Sequence, residues 1–202
     1  AWLGEQLGGQ GLRRHQRRDA PLGAPPDEVA AGGVRVRRWR PDDAPELQAL
    51  LLANLDHLRP WMGWVAAEPL SLEQRRSKLT AWDVRWEAGE DFSYAIVDGA
   101  GGELLGGCGL NRRIAPDGLD LGYWVRGNRT GHGLATDAAR ALVEAAFSVD
   151  GITHVEIHHD AANLASRRIP EKLGFSYLGA RRADVAAPAE VGIDVGWRLD
   201  RA

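Results

Sequence analysis

The strongest constraint on the fold is a strand, a glycine-rich turn and a helix that follow one another without a gap. Apolar residues predict a strand over 119–125, and apolar residues at helical spacing predict a helix over 133–147. Between them lies the turn Thr130-Gly131-His132-Gly133. Glycines let backbone N–H groups approach an anion, and a helix N-terminus adds partial positive charge. The segment therefore predicts a cradle for a phosphate or pyrophosphate group.

Other interpretations of this turn imply other ligands or none. A Rossmann dinucleotide site has the same order of elements, and Glu156 lies 23 residues past Gly133, near the position of its ribose-binding acid. However, Thr136 stands where a third small residue is usual, and two hairpin strands precede the unit. A P-loop is excluded because no Gly-Lys-Ser/Thr follows the turn. A third interpretation is a tight strand-to-helix turn that binds no ligand.

The hydrophobic pattern of the whole chain predicts a mixed α+β or α/β domain. Antiparallel hairpin strands come first and a βαβ-like unit follows, which is typical of this class. A capping box, Ser71 with Gln74 three residues later, marks the start of one helix. Seven strands are expected over 34–39, 92–97, 103–110, 119–125, 153–158, 175–181 and 191–199, with four helices following Pro41, Ser71, Gly133 and Asn163.

Composition excludes several classes of protein. The chain has 202 residues, 44% of them hydrophobic, which suits one buried core. No apolar run reaches the ~18–20 residues of a membrane span, and no signal peptide is visible, so neither a membrane nor a secreted protein is expected. The single cysteine, Cys108, can form neither an internal disulfide nor a cysteine-cluster metal site, which favours a reducing cytoplasm and no metal. A net charge of -3 does not favour nucleic-acid binding.

The first 33 residues differ from the rest of the chain. They are rich in glycine and proline and contain the basic cluster Arg13-Arg14-His15-Gln16-Arg17-Arg18. Neither a strand nor a helix period persists there, so we expect a flexible arm over 1–33 and one folded domain over 34–202. The basic cluster is either a solvated tail or a contact for RNA or an acidic partner.

Two blocks resemble the GNAT superfamily of N-acetyltransferases. The turn Thr130–Ala135 is similar to the superfamily's acetyl-CoA pyrophosphate loop, Gln/Arg-x-x-Gly-x-Gly/Ala, with Thr130 in place of the first Gln or Arg. Asn163-Leu164-Ala165-Ser166 and Lys172-Leu173-Gly174-Phe175 are similar to its Asn-x-x-Ser and Lys-Leu-Gly-Phe motifs. Pro170 departs from the pattern, because a helix former is usual there.

Three further segments narrow the resemblance to the RimL/RimJ branch, which acetylates the N-termini of ribosomal proteins. They are Leu58–Val65, Gly109–Arg112 and Leu121–Val125. The resemblance covers roughly Val34 to Leu199. It implies a mostly antiparallel, twisted sheet of about seven strands, splayed at the acetyl-CoA site, with about four helices. It also implies direct attack of an amine on acetyl-CoA in a ternary complex, and relatives include dimers, so a homodimer is a further expectation.

The resemblance and the glycine turn together assign the site residues. Ser166 is expected to protonate the leaving thiolate, and His159 or Asp184 to act as the base. Trp61, Trp64 and Asn111 are expected to line the acceptor site, and Cys108 to be structural. The residues expected to hold acetyl-CoA are Tyr123, Trp124, Val125, Arg126, Arg129, Gly131, His132, Gly133, Leu134, Ala135, Thr136 and Asn163.

The acceptor stays open at this point. The leading hypothesis is an N-terminal amine of a protein or peptide. A small-molecule acyltransferase acting on an antibiotic, polyamine or amino acid is the alternative among enzymes, and an acyl group other than acetyl is compatible with the same glycine turn. A catalytically idle CoA-binding regulatory module is the alternative outside enzymes.

Overall fold

The computed structural model describes residues 23–202, which form one eight-stranded sheet with helices on its faces. The strand order is β1-β2-β3-β4-β5-β6-β8-β7. The strands are β1 Glu28–Ala31, β2 Val34–Arg38, β3 Asp91–Asp98, β4 Leu104–Ala115, β5 Gly118–Val125, β6 His154–Asp160, β7 Ser176–Arg182 and β8 Ile193–Asp200. The helices are α1 Ala44–Leu52, α2 Leu55–Leu58, α3 Leu72–Glu87, α4 Leu134–Phe147 and α5 Leu164–Leu173, with short 3-10 turns at Pro41–Asp43, Gly63–Ala67 and Gly127–Arg129.

The mixed, mostly antiparallel sheet confirms the predicted fold class and adds one strand, β1, to the seven expected. β1 pairs antiparallel with β2, from Glu28 opposite Arg37 to Ala31 opposite Val34. The two-residue turn between them begins at Gly32, whose φ of 58° suits a tight hairpin. The expectation of a flexible arm up to residue 33 is therefore wrong for residues 28–31, and its first 22 residues lie outside the described part of the chain.

The predicted splay is present between β5 and β6. These two strands run parallel but pair only from Gly118 opposite His154 to Asp120 opposite Glu156. Beyond Asp120 the pairing ends, while β6 continues to pair with β8 along its whole length, as far as Asp160. A wedge therefore opens between the carboxyl ends of β5 and β6, the position at which α/β sheets bind ligands.

Side chains on opposite faces of the sheet enter two hydrophobic cores. Leu121 belongs to the core that contains residues of α4 and α5, whereas Trp124, three residues further along β5, belongs to the core that contains residues of α1 and α3. This alternation follows from the two-residue period of a strand. Both faces of β5 are thus covered, and only its end at the wedge is free to contact a ligand. None of the helices within residues 23–202 is long and apolar enough to cross a membrane.

Candidate functional site

The glycine turn is open and presents backbone amides. Gly131 and Gly133 have φ angles of 79° and 82°, a region that side chains other than glycine rarely adopt. Gly133 is the N-cap of α4 and has no side chain to cap the helix. A Cβ placed on either glycine would meet no heavy atom within 4 Å. The first amides of α4 have no partner within the helix, so the turn has the donors and the space that an anion requires.

Two arginines flank the turn, and both are ion-paired with Glu103. Arg126 contacts one carboxylate oxygen of Glu103, and Arg129 lies 3.0 Å from the other. Glu103 lies on the connection from β3 to β4. The predicted contacts of these arginines with a bound anion would therefore compete with an existing carboxylate.

The wedge between β5 and β6 contains a cavity of about 400 Å³. Its walls come from the two splayed strands, the start of α5, the loop after α2 and the loop between β7 and β8. Six of the predicted site residues line it: Trp61, Tyr123, His159, Asn163, Ser166 and Asp184. The fold thus brings together residues that are up to 123 positions apart in the sequence.

Ser166 is held at the cavity by two neighbours. Asn163 caps α5, and its Oδ1 accepts a hydrogen bond of 3.0 Å from the Ser166 amide. The Tyr123 hydroxyl lies 3.0 Å from Ser166 Oγ and donates to the Ser166 carbonyl oxygen at 3.1 Å. Burial raises the pKa of Tyr123, so its phenol stays protonated. The Ser166 hydroxyl therefore has a defined position in the wedge.

His159 is at the cavity but is not free to act as a base. The Trp197 indole N–H can only donate, and it donates to His159 Nε2 at 3.0 Å. The other ring nitrogen, Nδ1, then carries the hydrogen and donates to the backbone oxygen of Asp160 at 2.8 Å. Because both ring nitrogens are used, this geometry contradicts the assignment of His159 as the base.

The neighbouring His158 forms an ionic cluster that the sequence did not predict. Its Nδ1 lies 3.1 Å from Asp194 and its Nε2 lies 3.0 Å from Glu156. The hydrogen bond to Asp194 raises the pKa of His158 to about 9, with burial acting against it and Glu156 adding to it. Its imidazole is therefore charged at neutral pH and has no free lone pair to accept a proton. The Glu-x-His spacing on one strand face was visible in the sequence, but the partner on β8 was not.

Asp184 is an exposed residue of the loop between β7 and β8, and none of the described residues forms a hydrogen bond or ion pair with it. The loop itself is fixed. Asp160 Oδ2 accepts hydrogen bonds of 2.9–3.2 Å from the consecutive amides of residues 191–193. The Ala189 amide donates to the Pro60 carbonyl at 2.9 Å, which joins this loop to the one that carries Trp61. Asp184 thus has an available carboxylate on a well-anchored segment.

Three predicted site residues have side chains in the core instead. Trp64 is 7% exposed and packs on Trp124 with ring centroids 6.1 Å apart, so neither ring reaches the cavity. Asn111 is buried, and its amide donates to the Asp120 carbonyl at 3.4 Å. The expectation that Trp64 and Asn111 line the acceptor site is wrong for this reason, and a contact of Trp124 with the cofactor is left to its backbone, because its ring is buried. Cys108 is fully buried, and burial raises its thiol pKa, as a structural role predicts.

Within residues 23–202 no group of three or more His, Cys, Asp or Glu side chains is placed to hold a metal ion. Two ion pairs lie in the wall of the cavity. Asp120 is buried and contacts Arg113, and Arg181 donates to Asp194 at 2.9 Å.

Comparison with protein families and curated proteins identifies acetyltransferases. The family model described as an acetyltransferase (GNAT) domain matches residues 34–176. YjcK of Bacillus subtilis, named as a probable N-acetyltransferase, is 28% identical over 154 residues, covering 75% of this chain and 85% of YjcK. YdaF of the same organism, provisionally named as a ribosomal N-acetyltransferase, is 29% identical over 156 residues, covering 74% of this chain and 81% of YdaF.

Solved structures share the fold over most of the chain. RimL, a ribosomal L7/L12 alpha-N-protein acetyltransferase in complex with coenzyme A, has a TM-score of 0.77 at 19% identity, covering 86% of this chain and 97% of RimL. RimJ of Mycobacterium smegmatis, in complex with CoA-disulfide, has a TM-score of 0.72 at 22% identity, covering 90% and 88%. The microcin C7 self-immunity acetyltransferase MccE, in complex with acetyl-CoA and AMP, has a TM-score of 0.78 at 17% identity, covering 91% and 100%.

Proposed function

The chain belongs to the GNAT acetyltransferase family, and from this premise we propose that it transfers an acetyl group from acetyl-CoA to the N-terminal amine of a polypeptide. The observation that carries the proposal is the wedge between β5 and β6, where a fixed serine hydroxyl faces a cavity of about 400 Å³. The reaction is direct attack in a ternary complex.

The glycine turn is proposed to hold the pyrophosphate of the donor. Its support is the uncapped start of α4 and the open space at Gly131 and Gly133. In this arrangement α5 begins beside the thioester, with Asn163 near the pantetheine arm. Arg126 and Arg129 would exchange part of their pairing with Glu103 for the phosphates.

The cavity residues are proposed to move two protons. The amine nitrogen forms a bond to the thioester carbon, and the carbon–sulfur bond breaks. Asp184, directly or through water, takes the proton that the nitrogen loses, and Ser166 donates a proton to the leaving sulfur. A peptide α-amine needs little help, because its pKa is about 7.7–8.0. Positioning therefore supplies much of the rate.

A polypeptide acceptor is supported by the cavity and by the relatives. RimL, named as a ribosomal L7/L12 alpha-N-protein acetyltransferase, and RimJ share the fold, and YdaF, provisionally named as a ribosomal N-acetyltransferase, is similar in sequence. The aromatic ring of Trp61 at the cavity offers an apolar wall for a small first side chain such as Ser or Ala. We propose a protein N-terminus of this kind, including that of a ribosomal protein.

A small-molecule acceptor is the second candidate. It is favoured by the likeness of the fold to MccE and by the volume of the cavity, which lies within the ~300–1,000 Å³ of small-ligand sites. An antibiotic, polyamine or amino acid would use the same wedge.

One experiment separates these candidates. Acetyl-CoA is incubated with the protein and with peptides bearing Ser or Ala termini, or with free amino acids, polyamines and antibiotics, and products are identified by mass spectrometry. We expect acetylated peptide termini, and loss of about tenfold or more of the rate in Ser166→Ala. Ser148→Ala, a serine at the end of α4, is the control. If a small amine is acylated efficiently while the peptides stay unmodified, the small-molecule alternative replaces this proposal. Binding of CoA without any transfer would indicate a regulatory module.

A further inference from the structure

Pro170 leaves one carbonyl of α5 without its helical donor. In an α-helix the carbonyl of residue i accepts from the amide of residue i+4, so the Ser166 carbonyl would accept from residue 170. Proline has no N–H, and Pro170 is buried inside α5, which continues to Leu173. The unmet acceptor is thus on Ser166, a partly buried residue that faces the cavity, and an acceptor shielded from water without a donor is costly.

Tyr123 supplies the missing donor from another element. Its hydroxyl lies 3.1 Å from the Ser166 carbonyl oxygen and 3.0 Å from Ser166 Oγ. A phenol has one hydrogen, and we assign it to the Ser166 carbonyl, because that carbonyl can only accept and lacks its helical donor. The Ser166 hydroxyl then donates to the phenol oxygen. Two hydrogen bonds therefore fix both the helix turn and the hydroxyl of Ser166.

We propose that Tyr123 is the positioning residue for Ser166, and that Pro170 creates this role by leaving the Ser166 carbonyl to the phenol. A residue with a backbone N–H at position 170 would donate to the Ser166 carbonyl, so that carbonyl would no longer need the Tyr123 phenol as its donor. For catalysis the inference rests on the proposed function. Rotation about the Cβ–Oγ bond turns the Ser166 hydrogen from Tyr123 towards the leaving sulfur, which takes this proton from Oγ as the carbon–sulfur bond breaks. Asp184 then returns the proton taken from the amine, through water, to the serine oxygen.

The first test measures stability and needs no activity. Tyr123→Phe is made in the wild-type background and in a Pro170→Ala background, and the effect of the phenol is compared in the two. Tyr177→Phe, an exposed tyrosine of β7, is the control. We expect Tyr123→Phe to lower Tm by about 2–6 °C in the wild-type background. In the Pro170→Ala background we expect at most half of that loss, because the new amide at position 170 takes over the carbonyl. An equal loss in both backgrounds would overturn the proposal.

The second test measures turnover on whichever acceptor the wild-type protein acetylates. We expect Tyr123→Phe to lower kcat about tenfold while KM for acetyl-CoA changes less than twofold, because the serine hydroxyl loses its restraint. Pro170→Ala does not restore this loss. In a Ser166→Ala background Tyr123→Phe has no further effect on kcat, whereas a role in packing alone would give additive losses. An unchanged kcat or additive losses would contradict the positioning role. Absence of any transfer by the wild type would refute the proposed function and leave the stability test to decide the Pro170–Tyr123 link.

Discussion

His158 is a charged residue whose contribution to stability depends on pH. Its pKa rises from the ordinary 6.5 to about 9 in the folded chain, first through the hydrogen bond to Asp194 and also through that to Glu156. A raised folded pKa means that the stabilisation is complete below about pH 6.5 and is lost as the pH rises through about 9. Asp120 and Arg181 add charges of opposite sign near the same cluster.

We therefore predict that His158→Gln lowers Tm most at pH 6 and progressively less towards pH 10. The amide keeps hydrogen-bonding capacity but cannot carry the charge. Thermal unfolding of both proteins at pH 6, 8 and 10 measures the difference, with His57→Gln, an exposed histidine, as the control. A Tm difference that does not change with pH would show that the ionic cluster contributes no pH-dependent stability.

The two histidines of β6 show what residue patterns can and cannot predict. Alternation along the strand correctly separates the faces of His158 and His159, because side chains alternate along a strand. The roles depend on partners from β8, Asp194 for one and Trp197 for the other. Those partners are more than 30 positions away in the sequence, so the pattern within one strand could not reveal that His159 has no free lone pair.

At the scale of elements, the junction of β5 and α4 combines three local features that each favour anion binding: the end of a strand, a glycine turn and a helix start. We predict that Gly133→Asp raises the Kd for CoA by about tenfold or more. The new carboxylate would face the phosphates at the helix start and reverse the favourable charge there. Calorimetry with CoA provides the measurement.

Gly174→Asp is the matched control for this substitution. Gly174, at the far end of α5, has a φ of 77° and equally open surroundings, so the control introduces the same charge and a similar backbone strain in another turn. Equal affinities of the folded Gly133→Asp and Gly174→Asp proteins for CoA would exclude the turn as the pyrophosphate site.

The elements that the sequence predicted correctly have either a long run of apolar residues at regular spacing or a clear capping motif. Ser71 is the N-cap of α3, and its hydroxyl accepts from the Gln74 amide at 3.2 Å, as the capping box predicts. α2, by contrast, has four residues, too few to show a helical period. β8 lies between β6 and β7 in the sheet, a long-range arrangement that no local pattern encodes. The strand β1 was missed because four residues beside glycines resemble a flexible arm.

At the scale of the whole molecule, the cavity exists because the sheet opens where two loops meet. The loop after α2 is fixed by a buried ion pair, in which Arg75 donates to Glu68 at 2.5 Å with both side chains 2% exposed. Separating the two partners would leave an uncompensated buried charge, which is costly, so the pair strongly favours this conformation of the loop. The 183–192 loop packs against it closely enough that a Cβ on Gly63 would lie 2.5 Å from the Ala186 carbonyl oxygen. The sequence correctly predicts this loop, but it also predicts that both of its tryptophans line the acceptor site, because spacing alone does not show which ring is buried.

The two tryptophans of that loop allow the acceptor site to be tested against the core. We predict that Trp61→Ala raises KM for a peptide acceptor by about tenfold, because it removes an apolar wall of the cavity, while the Kd for CoA changes little. Trp64→Ala removes a core ring that packs on Trp124, so it lowers Tm sharply, as large-to-small core substitutions do. Steady-state kinetics, CoA calorimetry and thermal unfolding of both variants supply the comparison. Since only the unprotonated amine attacks, kcat/KM of the wild type should also rise with pH up to about 8. If Trp61→Ala instead weakened CoA and peptide binding equally, its ring would belong to a wall shared by both substrates, and the acceptor would enter the wedge from another side.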